Sequence, residues 1–276
     1  MVRRGTTFIR EKFSDSEDFY FALQEGRISG MSLVEKFGRN NDIDDATEED
    51  IFVFGGNFVY PTTPATISVL SSDTEDSGLT SPLGTGAFDV TVYGCDANYA
   101  EINETFTLNG TTPVGSATSP LTKFLRVWRV KCGAVGTGGS NAGNIKVVDA
   151  NSPEGVLGYI LIGQGQSEQC QYTVPAGKTA HIIGGKASVA ESPGGALKET
   201  SALVKIWVRD YNAASTNNYN SWRMIESADI NNRGAGNVDL DSASRIAAKS
   251  DIRVSAAVSA DNTQVDVRLN IVLVDD

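Results

Sequence analysis

The chain holds a single histidine, His181, and therefore little of the usual imidazole chemistry. It stands in Thr179-Ala180-His181-Ile182-Ile183, where alternation places it on one face of a strand. No HExxH helix and no GxSxG elbow surrounds it, so a strand residue is expected rather than a catalytic one. Gly177-Lys178-Thr179 is half of a phosphate loop, but the earlier glycine falls at Tyr172, and Pro175-Ala176-Gly177-Lys178 lies between two candidate strands instead of opening a helix. A β-turn is expected there, with Gly177 at positive φ. Gly136-Thr137-Gly138-Gly139-Ser140-Asn141-Ala142-Gly143 lacks the third glycine of a dinucleotide fingerprint and leads into a strand, so it reads as a flexible loop. The acidic group Asp42, Asp44, Asp45, Glu48, Glu49 and Asp50 has calcium-like oxygen spacing, yet position six of a loop begun at Asp42 is Thr47 and not glycine. A solvated acidic face, or a partner for basic residues of another subunit, is the expectation. Paired carboxylates for glycoside hydrolysis stay open, because their separation of about 5 to 10 Å is a property of the fold. Neither a cofactor nor a metal is expected, and the chain is read as no enzyme.

The aromatic residues divide by setting. Trp128 and Trp207 lie in alternating strands and are assigned to core packing. Tyr211 to Trp222 mixes Tyr211, Tyr219 and Trp222 with Asn212, Asn217, Asn218 and Asn220, which suits an exposed binding loop or a subunit contact. As a sugar-stacking platform the same loop would make the chain a carbohydrate-binding β module. Arg126, Arg129 and Lys131 are grouped in one strand and read as a solvated face.

These side chains need a scaffold, and composition bounds it. The 276 residues are 40% hydrophobic, enough for a core without metals or disulfides. The net charge of −11 opposes phosphate binding, which needs a basic surface, so no nucleic-acid partner is expected. Cys95, Cys132 and Cys170 are odd in number and far apart, and read as small buried residues. The start is positive at Arg3 and Arg4 but lacks an apolar run of about 7 to 15 residues. Nothing approaches the roughly 18 apolar residues of a membrane span, so a soluble protein made in the cytoplasm is expected.

A capping box at Ser14 and Glu17, then Phe19, Tyr20 and Leu23 closed by Gly26, predicts a short helix. Residues 1–80 otherwise show little periodicity and read as an extended N-terminal arm lying along the body or across a neighbour; Ser71 to Gly78 reads as a polar loop or linker. From Phe88 onward, short β runs alternate with Gly, Pro, Asn and Ser clusters. Predicted strands are 88–93, 105–108, 124–132, 144–148, 159–162, 169–174, 179–189 and 202–210. Ile252 to Val258 and Val265 to Leu273 alternate about a turn at Ser259 to Asn262 and predict a closing hairpin. A second helix is possible at Asp241 to Lys249. The fold class is mainly β, an antiparallel β-sandwich of jelly-roll type over residues 81–276, with division into two β subdomains left open.

Met31 to Asn40, Asn41-Asp42-Ile43-Asp44, Glu49-Asp50-Ile51-Phe52 and Gly55-Gly56, with the later Tyr172-Thr173-Val174-Pro175-Ala176-Gly177-Lys178-Thr179, resemble a family of virion structural proteins of tailed phages of aquatic bacteria. The resemblance spans residues 31 to about 180, and its relatives begin near Met31. It implies a noncatalytic capsid decoration or cement protein, homotrimeric by analogy, bound to the major capsid protein and to copies of itself on the virion. A tail, neck or fibre component is the alternative. The expected contact residues are Phe37, Arg39, Asp42, Asp44 and Asp45 in the arm, and Tyr211, Tyr219 and Trp222 in the aromatic loop. Deleting residues 1 to 60 is expected to leave a folded body that no longer attaches.

Overall fold

The computed structural model describes residues 19–79, 81–115, 123–191, 200–216, 218–231, 236–238 and 244–276. In chain order these form a six-residue helix, α1 (Phe19–Gln24), and then the strands β1 (Met31–Ile43), β2 (Glu48–Asp50), β3 (Ile67–Ser71), β4 (Asp89–Cys95), β5 (Glu101–Thr107) and β6 (Val114–Gly115). There follow β7 (Arg126–Cys132), β8 (Ile145–Asp149), β9 (Ser152–Ile160), β10 (Tyr172–Thr173), β11 (Lys178–Glu191) and β12 (Ser201–Arg209). The last strands are β13 (Arg223–Asn231), β14 (Gly236–Val238), β15 (Ser244–Ile246), β16 (Asp251–Val258) and β17 (Thr263–Asp275). The chain is mainly β and its paired strands run antiparallel. The capping box at Ser14 and Glu17 lies outside the described residues. No helix among the described residues is long and apolar enough to cross a membrane.

Four sheets result. The first runs β1-β17-β11, with β14 and β15 on the far side of β11; the second runs β10-β16-β12-β13, with β2 also on β16. The third is β6-β3-β8-β9 and the fourth β5-β4-β7. Period-two alternation decides what each face buries. In β12, Ala202, Val204, Ile206 and Val208 point inward, and β16 adds Ile252, Val254, Ala256 and Val258. From the opposite side, Ala180, Ile182, Val265, Val267, Leu269 and Ile271 of the first sheet meet them in one core. A second core joins Ile67, Val69, Ile145 and Val147 of the third sheet to Val90, Val92, Val127 and Val130 of the fourth. Each such aliphatic side chain stabilises the fold by about 1.5–3 kcal/mol when fully buried.

Residues 31–79 are not an arm laid over the body. Thirteen-residue β1 pairs along β17 from Met31 opposite Val274 to Ile43 opposite Thr263, β2 pairs with β16, and β3 is an inner strand of the third sheet. Their pattern is hard to see because β1 places Lys36, Gly38 and Asn40 at inward positions instead of aliphatic residues. Removing residues 1–60 would strip a strand from each of the two sheets around the principal core, so the folded remnant expected from sequence does not follow.

The two alternating C-terminal strands do not form a hairpin. β16 pairs with β12, β10 and β2, whereas β17 pairs with β1 and β11, so the turn near Asn262, at φ 59°, hands the chain from one sheet to the other. Alternation shows which residues face a core, and both strands face the same core from opposite sides. The turn at Gly177 does carry positive φ, 73°. The predicted helix over 241–249 is replaced in its described part by β15, which pairs Ile246 with Ala180 on β11.

Candidate functional site

Two features concentrate the conspicuous chemistry: an outward groove on the first sheet and a charged, aromatic seam on the second. Along β1 the outward positions hold Leu33, Glu35, Phe37 and Arg39, beside Asp266 and Arg268 of β17 and Lys186 of β11. Two open hollows of about 490 and 310 Å³ adjoin there and share Phe37 and Arg268 in their walls. Arg39 is held by Glu168 at 2.6 Å, and Arg268 by Glu35. Phe37 and Arg39 are thus brought together on one surface, with mixed charge around an aromatic ring.

Behind this surface, inward-pointing Lys36 is 6% exposed and donates to the carbonyl of Trp128. Burial pushes its pKa down to about 8, with Cys170 opposing the shift. Gly38 is required by a close approach, since a Cβ there would stand 2.6 Å from the Cys170 nitrogen and 2.7 Å from the Ile51 oxygen. Desolvation pushes the thiols of Cys95, Cys132 and Cys170 up to about 12.

The acidic contacts lie elsewhere, Asp42 at the end of β1 and Asp44 and Asp45 just past it. Asp42, Asp44 and Asp45 are exposed, and the Asp45 amide donates to Asp261 at 2.9 Å. The Asp44 carboxyl is raised above its ordinary value by desolvation and then by Asp261, Asp42 and Glu49. Among the described residues no group of three or more His, Cys, Asp or Glu is arranged to hold a metal ion. Asp50 departs from the cluster altogether. It is fully buried, accepts from the Phe58 amide at 2.9 Å and lies 3.4 Å from Arg253.

The seam is the outer face of the second sheet, where covering groups exclude water. Asp251 sits at its centre, fully buried, with Arg126 at 3.0 Å on both oxygens, Arg209 at 2.7 Å and the Thr173 hydroxyl at 2.5 Å. Burial penalises the Arg126 charge, but Asp251 more than offsets this and holds its pKa above the ordinary value. Arg126 also donates to the carbonyls of Pro61 and Leu125 and to the Tyr219 hydroxyl, which shares a hydrogen bond of 2.7 Å with Tyr99. Aromatic faces cover the guanidiniums: Arg209 lies 4.2 Å from the Tyr219 centroid, 4.6 Å from Tyr60 and 4.7 Å from Trp222. Such stacks are worth up to about 2 kcal/mol when desolvated.

The expected exposed loop from Tyr211 to Trp222 is therefore corrected in its aromatic members. Tyr219 is buried, Tyr211 and Trp222 are half-buried, and all three rings are engaged by other residues. Asn217 lies outside the described residues. Arg126 is likewise buried in the seam and does not belong to a solvated face, although Arg129 and Lys131 are exposed. Trp128 is in the principal core, but Trp207 points outward, donating to the Ser255 hydroxyl at 2.8 Å. His181 stands on β11 between Arg245 and Val272.

A second buried carboxylate organises the loop end of the other core. Asp76, in the tract expected to be a linker, accepts from the amides of Ala87 at 2.7 Å, Ala142 at 2.8 Å and Gly143 at 2.9 Å, and from the Ser71 hydroxyl at 2.5 Å. It pins the glycine-rich stretch 136–143 to the end of β3. Aspartate in a Ser/Asp/Gly tract is what any loop contains, so Asp76 carries no distinguishing sequence signal. Asp251 and Arg126 are little better marked: each is a charged residue that opens a strand, but β7 also carries Arg129 and Lys131, and β16 Arg253.

No family model matches the chain, and no curated protein matches it. Among solved structures, one titled "Structure of infectious bursal disease virus Gt strain" aligns over 95% of this chain and 79% of that chain at 11% identity, with a TM-score of 0.19. An overlap that loose establishes no shared fold.

Proposed function

We propose that the chain is a noncatalytic structural component of a tailed-phage virion, a decoration or cement protein that binds the major capsid protein and further copies of itself as a homotrimer on the head surface. The observation that supports this most is the placement of the resembling segment. Residues 31–56 build β1 and β2 and turn Phe37 and Arg39 outward into the groove, where an aromatic ring framed by ion pairs suits a protein contact. The buried charges support a structural role too, because Asp76 and Asp251 spend their oxygens on holding loops and strands together. We read the first two sheets as a sandwich of jelly-roll kind, since the chain alternates between them from β10 to β12 and again from β15 to β17.

The test is quantitative mass spectrometry of purified particles against the major shell protein. A large fixed ratio supports decoration, a ratio of a few per cent moves the chain to tail, neck or fibre, and absence ends the virion reading. Phe37→Asp, on the groove wall, should abolish attachment while leaving the circular dichroism unchanged. The carbohydrate reading loses its platform, because two guanidiniums, Arg209 and Arg253, already lie within 5 Å of the Trp222 ring centroid.

A further inference from the structure

The groove on the first sheet begins where α1 ends. Ala22 and Leu23 of α1 are buried, and Gln24 forms part of the wall of the larger hollow. Phe19 lies about 8 Å from Gln24 along the axis of so short a helix, so the chain enters α1 from beside the groove.

The surface beyond has a polarity of charge. The larger hollow, at Leu33 to Phe37, sets Arg129 and Arg268 against a single carboxylate, Glu35. The smaller one, at Phe37 to Arg39, shares Arg268 and balances Arg39 and Lys186 with Glu168 and Asp266. Around the end of β1 stand Asp42, Asp44, Asp45 and Asp261, where desolvation and then Asp261, Asp42 and Glu49 raise the Asp44 carboxyl. From the α1 side outward, the surface runs from positive through balanced to negative.

The sequence that leads into α1 carries the complementary order. Residues 13–18 contain Asp15, Glu17 and Asp18 and no basic residue, whereas residues 1–12 contain Arg3, Arg4, Arg10 and Lys12 against Glu11 alone. Phe13 stands where the two blocks meet, and Phe8 and Ile9 lie within the basic one. Laid antiparallel to β1, the acidic block meets Arg129 and Arg268, and the basic block reaches the aspartates. The opposite direction sets like charge against like. Reach is sufficient: Leu33 to Asp42 spans about 30 Å at about 3.3 Å per residue, and residues 3–18 extend to about 50 Å. A tether this short gives a millimolar effective concentration, so individually weak contacts fill the groove.

We propose that residues 3–18 of the same chain lie in the groove antiparallel to β1, with Phe13 against Phe37 and each charged block on its opposite. The inference goes beyond the virion reading and stands without it. Under that reading, a shell partner competes with this segment for Phe37.

The test uses the full chain with p-benzoylphenylalanine in place of Phe13. Irradiation should crosslink it, within one chain, to the peptides that carry Leu33 to Arg39 or Asp266 to Arg268, read by tandem mass spectrometry of the monomer band. Trypsin gives a second reading on the unaltered chain. Cleavage after Arg10 and Lys12 should run about tenfold slower than in a free peptide of residues 1–18, as for a segment docked about nine-tenths of the time. Arg129→Glu, at an exposed position on the groove wall, should remove most of that protection. Crosslinks outside the groove, crosslinks that join two chains, or cleavage as fast as in the free peptide would overturn the proposal. Should Arg129→Glu fail to fold, the crosslink to the unaltered groove decides. Neither measurement involves particles, so failure here leaves the virion reading standing.

Discussion

Asp76→Asn changes one atom at the point where three loops meet, and its cost can be worked from the four bonds that the carboxylate accepts. Oδ1 takes the Ala87 and Ala142 amides, and Oδ2 takes the Gly143 amide and the Ser71 hydroxyl. An asparagine that turned its NH2 toward Ala87 and Ala142 would set donors against two backbone N–H groups. The better orientation keeps its oxygen there and points the NH2 at Ser71, whose hydroxyl rotates to accept. The Gly143 N–H is then left facing a donor, at a cost of about 1–3 kcal/mol, and the surviving bonds fall from charge-assisted to neutral strength, about 1 kcal/mol each. The expected loss is about 4 kcal/mol. Urea unfolding measures it directly, and amide hydrogen exchange at Ala87, Ala142 and Gly143 separates global loss from local release of the loops. A variant within about 1 kcal/mol of the parent, with exchange at those three amides unchanged, would refute the view that Asp76 holds this end of the molecule.

Asp251→Asn should cost about 3–5 kcal/mol in urea unfolding, because Arg126 and Arg209 would be left buried against a neutral group; a loss under about 1 kcal/mol would contradict the central role of that carboxylate. Burial pushes the Asp50 pKa up to about 6 from 3.8, with Arg253 opposing, so the fold favours its protonated form. That contribution is complete below pH 3.8 and is lost as pH rises through about 6. Stability relative to Asp50→Asn should accordingly fall by roughly 2 kcal/mol between pH 4 and pH 7, and a flat difference would exclude the shift. Gly38→Ala should destabilise by about 1–3 kcal/mol, since the backbone of Ile51 and Cys170 must move; an unchanged urea midpoint would show that it yields freely. The buried thiols of Cys95 and Cys170, raised to about 12, should react with a disulfide reagent at neutral pH only after unfolding, and rapid labelling of either in the native protein would contradict its burial.

What the sequence discloses here is facing more than pairing. Ile252 to Val258 and Val265 to Leu273 announce their inward residues through strict alternation, and each of those residues reaches the core. The same alternation is silent on which neighbour a strand meets, and the expected hairpin was two strands of opposite sheets. β1 carries no alternating signal because its inward face holds Lys36, Gly38 and Asn40, each explained only by groups outside the strand: the Trp128 carbonyl, the Cys170 and Ile51 backbone, and Glu49 with the Asp50 carbonyl. Of the contact residues, Phe37 and Arg39 share one groove, Asp42 ends that strand with Asp44 and Asp45 just past it, and Tyr219 is interior. Aromatic and asparagine content alone describes an exposed loop and a cation-stacked seam equally well, because of the arginines that decide between them only Arg209 is close in sequence, while Arg126 and Arg253 come from other strands.

The pairing of β1 with β17 sets an order of events during synthesis. Met31 lies opposite Val274, and β17 also separates β1 from β11 in the first sheet. At usual elongation rates, β1 waits on the order of tens of seconds after leaving the ribosome before its partner exists. The second core, complete once β9 has emerged, is free to form during that interval, whereas the principal core must assemble afterwards around β17. A ribosome stalled anywhere short of β17 would display a finished smaller core beside an open larger one, which is the form in which chaperones and proteases would meet an incomplete chain.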